Sequence, residues 1–393
     1  MSPLPLAGVT VIALEQAVAV PFATRQLADL GARIIKIERP VGGDFARGYD
    51  TTVQGLASHF VWLNRSKESL TLDVKRPEAL VVLARLLERA DVFVQNLAPG
   101  AADRLGLGTS ELRAKYPRLI VCSLSGYGST GPYASKKAYD LLVQSEVGLV
   151  SITGTPETPS KVGLSIADIA GGMYAYSGIL TALLQQQRTG QGTSLEVSLF
   201  EALGEWMGYA MYYTFGGTPP PRTGASHATI APYGPYRMRD GQEVIFGIQN
   251  NREWATFCTA VLRRAALVDD SRFQSNQLRV HYRADMDAEI AQVFSELSPA
   301  EVIARLEGAQ IANARINTVE QFIDHPQLRG RDAWRQVDSP VGPIRALAPP
   351  VRMEDVEPVM GPIPALGQHR ESILEELGFD RATIEQWKKE GVI

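Results

Sequence analysis

The 393-residue chain is poor in the residues that staple or ligate. It holds two cysteines, Cys122 and Cys258, far apart, and its five histidines never fall three to five residues from one another. Neither a disulfide framework nor a metal site is expected from such spacing. No uninterrupted apolar run reaches the ~18 residues that a membrane span needs. The opening MSPLPLAGVTVIAL lacks the basic region and apolar core of a signal peptide, which points to a cytoplasmic protein. An excess of one charge is missing too. Lys and Arg number 39 against 43 Asp and Glu, a net -4 spread along the chain. That balance argues against nucleic acid or an anionic membrane as the main partner. There is no internal repeat and no low-complexity tract.

What is there suits large cores. Hydrophobic residues make up 45% and charged residues 21%, over a length that fits two domains. The first 125 residues alternate strand and helix patterns. VTVIAL (9–14), RIIKIE (33–38), SLTLDVK (69–75), DVFVQNL (91–97) and RLIVCSLSGYG (118–128) read as strands. PFATRQLADLG and PEALVVLARLLERA read as helices between them. The succession implies an α/β fold, a parallel Rossmann-like sheet with helices on its faces. A nicotinamide site, with Glu38 on a ribose, does not follow. The first turn, EQAVAVP, contains no glycine to let the backbone approach a pyrophosphate.

Composition changes further on. GGTPPPRTGASHATIAPYG (216–234) carries four prolines and four glycines, as a linker or exposed loop does. YRMRDGQEVIFGIQ reads as a hairpin turning at Asp240–Gly241. Helical patterns follow, SPVGPIRALAPPV (339–351) is extended, and the tail ends in two helices. The expected plan is a large domain over 1–203, a linker over 204–235, a smaller α+β domain over 236–325, and a C-terminal segment, 326–393, that docks back on the large domain.

Three groups of residues can do chemistry. One is KKAYDLLVQ, with Lys137, Tyr139 and Asp140. A second is Asp168, at the front of the apolar, glycine-studded stretch SIADIAGGMYAYSGIL. A third is the basic residues at element ends: Arg39, Lys75, Arg76 and Arg104. Each has a plain alternative. From position alone Asp168 reads first as a helix N-cap, and the basic residues as solvated surface. Gly171 and Gly172 read as close packing or as room for an acyl group. Cations gathered at parallel strand ends suit a phosphorylated nucleotide.

Longer stretches resolve part of this. PLAGVTVIAL, LADLGARIIKIERP, NRSKESLTLDVKRPEA, DVFVQNLAPGAADRLGLG, RLIVCSLSGYGSTGP, KKAYD and SIADIAGGMYAYSGILTAL, in this order, resemble the class III CoA-transferases, also called the CaiB/BaiF family. SHATIAPYGPYRMRDGQEVIFGIQNN and ALGQH are similar to the members of the succinate–hydroxymethylglutarate type, which use succinyl-CoA. The resemblance implies a CoA thioester as substrate, with no prosthetic group, a carboxylic acid as acceptor, and an interlocked homodimer. It implies that Asp168 is the nucleophile, forming an aspartyl anhydride and then an aspartyl-CoA thioester, in the manner of covalent catalysis. Backbone N–H groups at the helix start are expected to support the oxyanion and to keep Asp168 ionised at neutral pH.

The same resemblance places Tyr139 and Asp140 beside the reacting acyl group, and Arg39, Lys75, Asn96, Arg104 and Lys137 on CoA. Val18 departs from the formyl-CoA transferase pattern, which has a glutamine there, although Gln16 is near. GIQNN (247–251), with Gln249 and Asn250, replaces that enzyme's glycine run. Both departures speak against oxalate or formate. Arg47, Arg222 and His227 are candidates for a substrate's distal carboxylate. The family also contains α-methylacyl-CoA racemases, which carry a histidine where this chain has Tyr139. A phenol with a pKa of about 10 is a poor base at neutral pH. A racemase and a catalytically silent CoA-binding protein remain the two rival readings.

Overall fold

A computed structural model describes residues 4–393. Residues 1–3, on which the reading of the leader partly rests, lie outside the described residues. The chain divides into two compact units. The first takes in residues up to Val147, Gly163–Met207 and Arg329–Ile393, and the second Gly148–Val162 and Gly208–Leu328.

The first unit is built on six strands: β1 (Thr10–Leu14), β2 (Arg33–Glu38), β3 (Lys67–Thr71), β4 (Val92–Gln95), β5 (Ile120–Ser125) and β6 (Ser194–Ser198). Their order is β3-β2-β1-β4-β5-β6, and every pair is parallel. Ile12 on β1 pairs with Ile35 on one side and Phe93 on the other, all three buried. Strands covered on both faces need such continuous apolar runs, which is why these segments fold as central strands. β6, SLEVS, was not expected. As an edge strand it alternates exposed and half-buried residues, and its sequence signal is weak.

The helix Ala19–Asp29 follows β1 and packs against a long helix, Ile166–Thr189. The C-terminal residues complete the core: Ile373, Leu374, Val392 and Ile393 are buried with Ile12, Phe93 and Leu83. Ser69 on β3 binds this segment, its N–H donating to His369 Nδ1 at 3.1 Å and its hydroxyl oxygen accepting from Gly367 N–H at 2.9 Å. The edge strand is thereby tied to the tail.

In the second unit β7 (Tyr233–Arg237) and β8 (Glu243–Gly247) form the expected antiparallel hairpin, with Gly241 left-handed at φ 84° in the turn. β9 (Asn313–Arg315) pairs antiparallel with β8. Tyr236, Phe246, Trp254, Phe257 and Phe294 fill its core. Gly208–Phe215, which the sequence places in a linker, is helical. Proline and glycine cluster after it, so the composition marked the segment's end and missed the helix before it. In the first unit β10 (Trp334–Val337) and β11 (Ile344–Leu347) pair as a second hairpin within the segment expected to be merely extended. Among the described residues no helix is long and apolar enough to cross a membrane.

Candidate active site

The strand order reverses between β1 and β4, and a crevice opens past the C-terminal ends of strands at such a point. A cleft of about 650 Å³ lies there, with Gln16, Arg39, Lys75 and Arg104 in its wall beside Leu72, Leu97 and Leu105. Three of the five residues expected on CoA thus meet in one place. Arg39 donates from Nε and Nη2 to Gly43 O at 3.0 and 2.8 Å and lies 4.4 Å from the Phe45 ring centre, which fixes its guanidinium. Lys75 is exposed. Arg104 ends a single helical turn, Ala101–Arg104, that starts at left-handed Gly100.

Asn96 has another task. Its Oδ1 accepts from Gln16 N–H and its Nδ2 donates to Gln16 O, both at 2.9 Å. Its amide ties the β1 end to the β4 end instead of reaching for the nucleotide. Lys137 is exposed on the segment before Tyr139 and is not part of the cleft wall.

Asp168 is the third residue of the Ile166–Thr189 helix; Ser165 holds the cap position, without a side-chain cap bond. The N-cap reading of Asp168 is therefore corrected. Asp140 does the capping from another element. Its Oδ1 accepts from Ala167 N–H at 2.7 Å and Asp168 N–H at 3.2 Å, while Oδ2 accepts from Gln144 Nε2 at 2.7 Å. Asp140 itself opens the short helix Asp140–Glu146.

The two glycines after Asp168 serve packing. A Cβ on Gly171 would stand 2.5 Å from Leu199 Cδ2, and one on Gly172 would stand 2.5 Å from Ala19 O. Gly172 follows Asp168 by four residues, so both lie on one helix face. That face is pressed on the start of the Ala19–Asp29 helix, beside the Gln16–Val18 turn.

Burial pushes the Asp168 carboxyl up to about 7, and the nearby Asp140 charge adds to the effect. The expectation that the helix start keeps Asp168 fully ionised at neutral pH is corrected here. Desolvation and a like charge outweigh the helix dipole, which is worth about 0.3–1 kcal/mol at an exposed end.

Tyr139 is 74% exposed, immediately before Asp140. Tyr49 joins this group, and sequence reasoning passed over it. It follows the single turn Phe45–Gly48, and its ring meets His59 edge-on at 5.6 Å. Burial, then the charges of Asp44, Asp168 and Tyr139, raise its phenol above the usual value. The one signal in the sequence was its place in GGDFARGY, singled out for Arg47.

Arg47 itself is engaged. Its Nε and Nη2 bind the Glu38 carboxylate at 2.7 and 2.8 Å, and it stacks 3.7 Å over Phe60. In the second unit Arg222 donates to the carbonyls of Ser151, Thr155 and Pro156 at 3.1, 2.9 and 2.8 Å. Both guanidiniums bind internal acceptors on three nitrogens. His227 stacks on Tyr233 at 5.3 Å and accepts Thr229 N–H at Nδ1. Asn250 caps the Asn251–Thr256 helix, its Oδ1 accepting from Glu253 N–H at 2.9 Å, and Glu253 Oε2 accepts Gln249 N–H at 2.7 Å. The GIQNN segment is thus a capped helix start. The first unit gathers Gln16 and three cations at the cleft, and sets Asp140 at the helix start that carries Asp168, whose charge reaches the Tyr49 phenol.

The chain matches CoA-transferase family III over residues 6–370. It is 33% identical to human succinyl-CoA:glutarate CoA-transferase, covering 99% of this chain and 90% of the human one. It is 32% identical to succinate–glutarate CoA-transferase of Agrobacterium fabrum, covering 95% of this chain and 96% of that one. A crystal structure of a CaiB/BaiF family protein from Brucella suis aligns at a TM-score of 0.82 and 33% identity, covering 95% of this chain and 99% of that one. The α/β fold, the crevice and these likenesses agree, and the chain belongs to CoA-transferase family III as a class III CoA-transferase.

Proposed function

We propose that this enzyme moves CoA from succinyl-CoA, or a similar short dicarboxyl-CoA, to a carboxylic acid through Asp168. The observation that carries the reading is the placement of Asp168. It sits at a helix start already capped by Asp140, and among the described residues no donor occupies its carboxylate. Ionised Asp168 attacks the thioester carbonyl, the C–S bond breaks, and CoA leaves as thiolate from a mixed anhydride. The thiolate attacks the aspartyl carbonyl, freeing the donor acid and leaving aspartyl-CoA. The acceptor carboxylate displaces CoA to form a second anhydride, and the thiolate then takes the acceptor acyl group, restoring Asp168. No water enters the balance, and covalent steps replace one difficult exchange.

Arg39, Lys75 and Arg104 hold the phosphates of CoA in this scheme. Tyr49 and Tyr139 flank the acyl group. The two similar enzymes named for glutarate make that acid the acceptor to try first. Incubation with succinyl-CoA, hydroxylamine trapping and peptide mass spectrometry test the reading. A hydroxamate confined to the peptide of Asp168 supports it; an unmodified Asp168 in protein that binds CoA sinks it. Exchange of solvent deuterium into the α-carbon without CoA transfer would favour the racemase instead.

Two chains in an interlocked dimer belong to this proposal. The Gly208–Phe215 helix leaves Tyr209, Tyr212 and Phe215 exposed on one chain, an apolar surface that suits a partner. Light scattering at the mass of one chain would remove that part.

A further inference from the structure

Five charged side chains are buried together by the cleft: Glu15 after β1, Lys36 and Glu38 on β2, Lys67 on β3, and Asp44. Lys36 Nζ lies 2.7 Å from Asp44 Oδ2 and 3.2 Å from Glu15 Oε1, and Lys67 Nζ lies 2.7 Å from the same Glu15 oxygen. Arg47 closes on Glu38, so three cations face three anions. Burial by itself would lower the Lys36 pKa, but Glu15, Asp44 and Glu38 more than reverse it and keep the ammonium charged.

Charge balance lets such a group be buried, yet apolar residues of equal volume often stabilise as well or better. Stability is therefore a poor reason for it. The group's hydrogen bonds to the backbone supply a better one. Asp44 Oδ1 accepts from Ala17 N–H and from Ala46 N–H, each at 2.9 Å. Ala17 sits at φ 62°, in the left-handed region that residues with a Cβ avoid unless held. Ala46 belongs to the single turn that ends at Tyr49. One carboxylate oxygen thus joins the Gln16–Ala17 turn to the Tyr49 turn, and Lys36 fixes the other oxygen. Asn96 pins Gln16 from the opposite side. Gly172, one helical turn past Asp168, touches Ala19 O, so this clamped turn abuts the face that carries Asp168.

We infer that Asp44 is a positioning residue for CoA transfer, holding the Gln16–Ala17 turn and the Tyr49 turn in one arrangement against Asp168. The inference rests on Asp168 being the nucleophile. Asp44 lines the cleft, but its carboxylate oxygens are spent on Ala17, Ala46 and Lys36, so it acts through the turns it holds and not on the reacting atoms. Lys36 is its anchor, and the buried ion group is the frame that keeps a carboxylate there.

Two double variants of the full chain test it: Asp44→Asn with Lys36→Met, and Asp44→Leu with Lys36→Met. Each removes one charge of either sign, and the asparagine alone keeps an oxygen for Ala17 and Ala46. Both are expected to melt cooperatively. The asparagine pair keeps kcat within about tenfold of the parent, whereas the leucine pair loses about a further 100-fold, as a displacement of ~1 Å costs. KM for succinyl-CoA stays within about threefold in both, since the phosphate-binding cations are untouched. Equal kcat in the two pairs, or a loss confined to KM, overturns the inference. Should the leucine pair not fold, Asp44→Ala with Lys36→Met takes its place under the same criterion. Asp168→Ala is measured beside them. Retained transfer there defeats the nucleophile reading itself, while a dead Asp168→Ala with equal pairs defeats only the role of Asp44.

Discussion

Asp168 and Glu253 each stand at the third position of a helix, Ile166–Thr189 in the first unit and Asn251–Thr256 in the second. Glu253 is used where it stands. Its carboxylate takes Gln249 N–H and Asn250 Nδ2, and its own N–H is capped by Asn250. A carboxylate in that position commonly reaches back to the chain entering the helix. Asp168 is spared the task because Asp140, from another helix, accepts the N–H groups of Ala167 and Asp168. Glu253 is spent on structure. Asp168 is left partly buried, beside a like charge, with its pKa pushed up to about 7. The difference shows how a carboxylate at a capping position is left without a hydrogen bond among the described residues: the capping is supplied from elsewhere.

The comparison breaks most visibly on removal of each acid. Asp168→Ala is expected to lower kcat for CoA transfer by about 10⁴-fold or more, as loss of a covalent nucleophile does. Glu253→Ala is expected to cost about 1 kcal/mol of stability, as a lost cap does, and to leave transfer within about twofold. Steady-state rates and urea melts of both variants decide this, and comparable rate losses would end the contrast.

Stability against pH sharpens it next. A carboxyl whose pKa is raised on folding binds its proton more tightly in the native state. Stability is then fully present below the unfolded value near 4 and is lost as pH rises through about 7. Asp168→Asn should therefore be more stable than the parent at pH 8, on the order of 2 kcal/mol after discounting for solvent screening, with no difference at pH 3. Urea midpoints at the two values check the sign.

Two smaller effects concern Asp140. In the proposed mechanism transfer needs ionised Asp168, so kcat/KM should rise with pH and level off above about 7. Asp140→Asn keeps an acceptor for the helix start but removes the like charge. The acid limb should then move about one pH unit lower, burial remaining in force. Asp140→Ala also uncaps the helix, at a cost of about 1 kcal/mol in a thermal melt. An acid limb unmoved in Asp140→Asn would assign the raised pKa to burial alone.

Much of the fold was legible from pattern. RIIKIE is β2 residue for residue, and the hairpin at Asp240–Gly241 stands where it was read. Local apolar period and turn chemistry carry these, and both are written in neighbouring residues. SLEVS escaped because an edge strand has no continuous apolar run to show. At the site, Gln16, Arg39, Lys75 and Arg104 line one cleft. Arg47, Arg222 and Asn96 went elsewhere because their acceptors, Glu38, the carbonyls of Ser151–Pro156 and the Gln16 backbone, are distant in sequence or set by the fold.

The sequence by itself therefore determined the parallel α/β architecture, the family, and the presence of an acid at the start of a glycine-bearing helix. Burial patterns, turn residues and ordered motifs are local, and they survive being read one residue after another. Tertiary structure decided which charges are free. It sent Arg47 to Glu38 and Arg222 to backbone carbonyls, gave the capping of the Asp168 helix to Asp140, and brought the Tyr49 phenol within reach of the Asp168 charge. A buried charge must find its partner wherever the fold brings one, and only the groups left over are available for chemistry.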